Sequence, residues 1–151
     1  MEQESNRQVP PLRSGKAIEL LTTCPFELCI SIELCHILPH IVNVPQACLV
    51  LEHTIVLFPT RYHRRWARRL RRLNFTREDA KILAYGSFAT DERREILGVN
   101  FIVTCDQALR NKYELDFPEI ERQFLAMRER LRPPYTRATV PRLLTLEEFL
   151  L

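Results

Sequence analysis

Glycine is scarce in this chain, with Gly15, Gly86 and Gly98 the only three in 151 residues. Without a glycine run there is no loop that cradles phosphates with its backbone amides and no dinucleotide fingerprint, so nucleotide-cofactor chemistry is disfavoured. Long apolar runs are missing too: Glu52 and His53 interrupt the longest of them, well short of the ~20 residues that a membrane span needs. No positively charged, apolar, small-residue leader opens the chain, and the expectation is a soluble, cytoplasmic protein with no membrane partner. Close cysteine pairs are also lacking. Cys24, Cys29, Cys35, Cys48 and Cys105 are an odd set in apolar surroundings, expected reduced and buried rather than bridged. Cys24, Cys29, Cys35, His36 and His40 have gaps too wide for a structural zinc site. No histidine follows Cys105, so an activated thiol nucleophile is not indicated.

What is present suits one α/β domain. With 46% apolar and 27% charged residues, a chain of this length buries roughly 68 to 70% of its unfolded surface. Residues 1–13 read as a flexible N-terminal segment and 14–151 as the domain. Helices are expected over about 15–21, 32–40, 46–52, 60–73 and 77–89, and strands over about 27–31, 54–58, 99–104 and 141–144. Gly98 suits a left-handed cap before the third of those strands. Pro118 and Pro133-Pro134 suggest two separate helices, 107–114 and 118–131. The alternation points to a three-layer α/β/α sandwich with a central parallel sheet.

The strongest anomaly is the stretch RYHRRWARRLRRL. Arg61, Arg64, Arg65, Arg68, Arg69, Arg71 and Arg72 place seven positive charges and no acid on thirteen residues, while the formal net charge of the whole chain is only +3. On a helix, Tyr62, Trp66, Leu70 and Leu73 fall on one apolar stripe and the arginines on the remaining surface. A basic face of this kind is the electrostatic footprint expected for a phosphate backbone. The plain alternative is a solvated face, paired with the acids between Glu114 and Glu121 or with an acidic segment of a partner. His63 is expected at the surface of the same helix.

Two carboxylates stand at junctions where open α/β folds bind ligands. Asp79 lies in the helix start Thr76-Arg77-Glu78-Asp79-Ala80, and Asp106 follows the strand end Val103-Thr104-Cys105. Hard oxygen ligands at a helix start and a strand end could face one divalent cation. Both positions also have a structural reading, since Thr-x-x-Asp is close to a capping box and Asp favours the N-cap of the helix that begins at Gln107.

The segments REDAKILAYG and GVNFIVTCDQAL, in that order and spacing, resemble a PIN domain, the fold of metal-dependent ribonucleases that includes the toxins of many toxin–antitoxin pairs. Upstream, PFELCISIELCHIL is similar to the family's second strand and the helix after it. The ending PRLLTLEEFL resembles its last strand and tail. The resemblance implies an acidic cluster that carries over onto Asp79 and Asp106 as ligands of Mg²⁺ or Mn²⁺, with Glu33 as a third catalytic candidate one helical turn ahead of the family's position. It implies RNA as substrate, the arginine helix as its docking surface and an antitoxin-like protein as a partner.

The front of the chain departs from that pattern. A PIN domain opens with an apolar strand bearing its first catalytic Asp, whereas MEQESNRQVPPLRSG is polar and holds no Asp. The expected fold is therefore PIN-like with its first strand missing, unless a start upstream of Met1 supplies it. A slot left by that strand has to be filled by direct pairing of its neighbours or by a partner chain, which makes a homodimer the expectation. Two functions follow: a divalent-metal ribonuclease, or a non-catalytic binding or regulatory module on the same scaffold.

Overall fold

The structure, a computed structural model, describes residues 26–149. The expected segment 1–13 and the helix over 15–21 lie outside the described residues. The chain divides into two compact units, the boundary falling after Ile55.

The first unit is a strand and two helices. β1 (Cys29–Ser31) leads straight into α1 (Ile32–Ile41), because Ser31 stays extended and its hydroxyl accepts the Leu34 amide at 3.1 Å. α2 (Val44–Glu52) begins on a full capping box. Asn43 Oδ1 accepts the Gln46 amide at 2.9 Å and Gln46 Oε1 accepts the Asn43 amide at 3.4 Å, with Pro45 in the first turn. The chain then turns so that the Ile55 amide donates to the Leu28 carbonyl at 2.8 Å.

The second unit carries β2 (Ile55–Pro59, from Val56 on), α3 (His63–Arg72), α4 (Arg77–Phe88), β3 (Ala89–Thr90), β4 (Phe101–Thr104), α5 (Gln107–Arg128), β5 (Arg142–Thr145) and α6 (Leu146–Phe149). It is mixed α/β. β4 and β5 run parallel, Phe101 opposite Arg142 through Thr104 opposite Thr145, and β2 and β3 pair antiparallel. Trp66, Leu70, Leu83, Phe88, Ile120, Phe124 and Met127 form the centre of the core. The Trp66 and Phe124 rings meet edge to face at 5.3 Å, a geometry worth about 0.5–1.5 kcal/mol beyond the area it buries.

Glycine acts at two points. Gly98 takes φ +76°, which only glycine adopts without strain, and its amide donates to the Ala89 carbonyl at 2.9 Å as the chain turns toward β4. Gly86 lets α4 lie directly on the parallel pair. A Cβ there would come within 2.7 Å of both Ile102 Cδ1 and Pro141 Cγ.

Three expectations are corrected. α5 is one helix of 22 residues rather than two, with Pro118 inside it. Tyr113, Ile120, Phe124 and Met127 hold one buried stripe across the proline, whose ring sits on the exposed side, so packing outweighs the lost backbone bond. His63 is buried rather than at the surface: its ring meets Tyr85 edge to face at 4.5 Å, and Nε2 lies 3.2 Å from the Lys81 carbonyl. The described cysteines are not buried, Cys48 and Cys105 being exposed and Cys29 and Cys35 half-buried.

Candidate functional site

The arginine stretch forms the helix that its periodicity predicts, although it starts at His63 rather than near Thr60. Trp66 and Leu70 are fully buried and Tyr62 and Leu73 pack beside them, so the apolar stripe is as expected. With that stripe fixed against the core, geometry at 100° per residue sorts the arginines into two rows. Arg64, Arg68 and Arg71 form the row toward α4, and Arg65, Arg69 and Arg72 the row toward α5.

The row toward α4 borders a cleft of about 330 Å³. Arg64, Arg68 and Arg71 line one wall and Arg77 and Lys81 of α4 the other, with His63 and Ala67 also contributing. No acidic residue lines it. Arg77 and Lys81 stand one turn apart on α4, and the connection through Asn74 and Phe75 is short enough to make the two helices neighbours. These two cations were not singled out in the sequence. The signal for them was the i, i+4 pair just after a tight helix connection.

The other row is partly engaged. Arg69 Nη1 donates to Gln123 Oε1 at 3.3 Å. Partial burial, and then the nearby charges of Arg65, Arg130 and Arg72, push its guanidinium below the ordinary value. Arg130, just beyond α5, thus joins this cationic side. Arg61 stacks on Tyr62 and Tyr135, its Cζ 4.9 and 5.4 Å from the ring centroids.

Three of the four acids offered as intramolecular partners are taken by α5 itself. Glu114 pairs with Arg110 at 2.7 Å, Asp116 with Lys112 at 2.8 Å and Glu119 with Arg122 at 2.5 Å. The Arg122 hydrogen bond, helped by Gln123, pulls the Glu119 carboxyl down to about 2. Among the described residues no ion pair reaches the arginines of α3. Pairing between those acids and the basic face is therefore not seen among the described residues, and the arginines of α3 form a solvated face.

The predicted carboxylates have local roles. Asp79 is half-buried in the first turn of α4, where its amide donates to Thr76 Oγ1 at 3.1 Å. Asp106 is the N-cap of α5: Oδ1 accepts the Leu109 amide at 3.0 Å, and its own amide donates to Thr104 Oγ1 at 3.0 Å. Glu33 belongs to the first unit, exposed in the first turn of α1. Among the described residues no three His, Cys, Asp or Glu side chains gather in a metal-binding group. In the tail, Glu148 accepts Arg110 at 3.0 Å and both the amide and hydroxyl of Thr145. The Arg110 contact foremost holds its carboxyl below the usual range. That glutamate therefore ties α6 to α5.

Chemically, the cations of α3 and α4 can bind phosphate by charge-assisted hydrogen bonds, the guanidinium fork being matched to phosphate oxygens. Among the described residues no helix is long and apolar enough to cross a membrane. Compared with family models, with curated proteins and with solved structures, the chain matches none.

Proposed function

We propose that this chain is a PIN-like RNA-handling protein, descended from divalent-metal ribonucleases of the toxin type, that docks the phosphate backbone on α3. The observation that carries the reading is that, among the described residues, no ion pair reaches Arg61 or the six arginines of α3, while Glu114, Asp116 and Glu119 pair within α5. A fold keeps such mutual repulsion against its own stability where a polyanion offsets it. Backbone contacts of this kind bind without reading sequence.

The catalytic half of the proposal rests on Asp79 and Asp106. Their carboxylate oxygens are the hard donors that Mg²⁺ and Mn²⁺ take, and the capping bond of Asp106 uses Oδ1, leaving Oδ2 outside it. A bound metal would lower the pKa of a water and offset charge on the phosphate. The residues themselves would fix that ion at the start of α4 and of α5, while the arginines hold the substrate.

A second reading, a non-catalytic binding module on the same scaffold, is favoured by the capping bond of Asp106, which accounts for this residue without any metal. One experiment separates the two: incubation with single-stranded and structured RNA, with Mg²⁺, with Mn²⁺ and with chelator, beside Asp106→Asn. Metal-dependent cleavage lost in the variant supports the nuclease. Binding without cleavage supports the module, and neither binding nor cleavage refutes both.

A further inference from the structure

We infer that the cleft between α3 and α4 receives a terminal oligophosphate, the group carried by the 5′-triphosphate end of an RNA or by a free triphosphate. The assignment of RNA as the source rests on the reading above; the oligophosphate chemistry rests on the cleft. Arg64, Arg68 and Arg71 span eight residues of helix, about 10 Å of rise, and Arg77 and Lys81 oppose them across a space of about 330 Å³. That is the lower end of the size range of small-ligand pockets. None of these five cations has an ion pair among the described residues.

Charge density selects the ligand. A phosphodiester strand brings one negative charge per nucleotide, about one per 3.4 Å along a duplex, so a strand crossing about 10 Å of cleft meets about three of the five cations and leaves the rest uncompensated. A terminal triphosphate places several charges in the length of one nucleotide. It also offers the non-bridging oxygens that guanidinium forks grip two at a time. Recognition of a single-stranded segment by its bases needs exposed aromatic platforms. The lining holds no Phe, Tyr or Trp, and its one ring, His63, is buried against Tyr85. The cleft thus recognises phosphate and ignores the base. It does so with side chains, in a chain whose glycine content rules out a backbone-amide loop.

The test is a comparison by fluorescence anisotropy of two short RNAs of one sequence, one with a 5′-triphosphate and one with a 5′-hydroxyl, at physiological ionic strength. Inorganic tripolyphosphate serves as competitor. The triphosphate RNA is expected to bind on the order of tenfold tighter or better, and tripolyphosphate is expected to displace it. In the double variant Arg77→Gln, Lys81→Gln the preference disappears, while affinity for the hydroxyl RNA falls far less. Arg64→Gln, on the opposite wall, gives the same loss of preference, which guards against a folding defect in the double variant. Equal binding of the two RNAs, or a preference that survives these substitutions, overturns the cleft assignment even if RNA binds. Tripolyphosphate binding that needs Arg77 and Lys81, with no binding of the hydroxyl RNA, upholds the cleft and removes the backbone-docking reading.

Discussion

Replacing Arg68 by Gln is expected to make the free protein more stable. Arginines three or four residues apart on a helix are neighbours, and the six of α3 form six such pairs. Arg68 takes part in four of them, with Arg64, Arg65, Arg71 and Arg72. Each like-charged pair costs ~0.2–0.5 kcal/mol in an isolated helix, so losing four is worth about 1 kcal/mol once screening of an exposed side chain is allowed for. Arg68 is exposed and has no described ion pair that the substitution would break. For a chain of this size the gain corresponds to a rise in Tm of about 2–4 °C. Thermal melts of wild type and Arg68→Gln at low salt and at 1 M salt are the assay. At 1 M the Debye length contracts to about 3 Å and the difference should nearly vanish. A variant less stable than wild type at low salt, or a gain that salt leaves untouched, would refute the repulsion argument.

Three further outcomes follow from the packing and the titrating groups. Gly86→Ala gains about 1 kcal/mol of helix propensity, but its methyl meets Ile102 and the rigid Pro141 ring at 2.7 Å. Overpacking of that kind costs about 1–3 kcal/mol, so urea denaturation should show net destabilisation; a stabilised variant would mean that α4 does not rest on the parallel pair. Tyr113→Phe removes the hydroxyl that donates to the buried Pro141 carbonyl and should cost about 1–3 kcal/mol through the acceptor left unsatisfied, whereas an unchanged denaturation midpoint would dismiss that bond. Glu119 titrates at about 2 in the folded chain against an ordinary 4.5, so its contribution is present above pH 4.5 and lost as pH falls through 2. Denaturation midpoints of Glu119→Gln should therefore show a shallower acid limb than wild type, and identical limbs would count against the pair with Arg122.

The elements whose ends are set by local chemistry were legible in the sequence. Thr76 and Asp106 each begin a helix by accepting a backbone amide, and Gly98 turns where a positive φ is required; Ser31 and Asn43 cap their helices in the same way but were not singled out in the sequence. The stripe of Tyr62, Trp66, Leu70 and Leu73 was equally plain, because an amphipathic period survives into packing. What escaped depends on tertiary partners. Pro118 reads locally as a helix start, and only the buried row from Tyr113 to Met127 shows why the helix continues through it. His63 reads as one more basic residue until Tyr85 and the Lys81 carbonyl close over it. Of the site, the α3 wall was visible as a run of arginines. The α4 wall was not, because Arg77 and Lys81 acquire their meaning only when two helices fold side by side.

The most direct test of phosphate docking on α3 is the dependence of RNA affinity on salt. The logarithm of the association constant for a single-stranded RNA is plotted against the logarithm of salt concentration for wild type and for the triple variant Arg68→Gln, Arg69→Gln, Arg72→Gln. Each neutralised phosphate contact contributes roughly 0.7–0.9 to the slope, so the variant's line should be shallower by about two to three. Binding that ignores salt, or a slope unchanged in the triple variant, would contradict the assignment of α3 as the surface that meets the phosphate backbone.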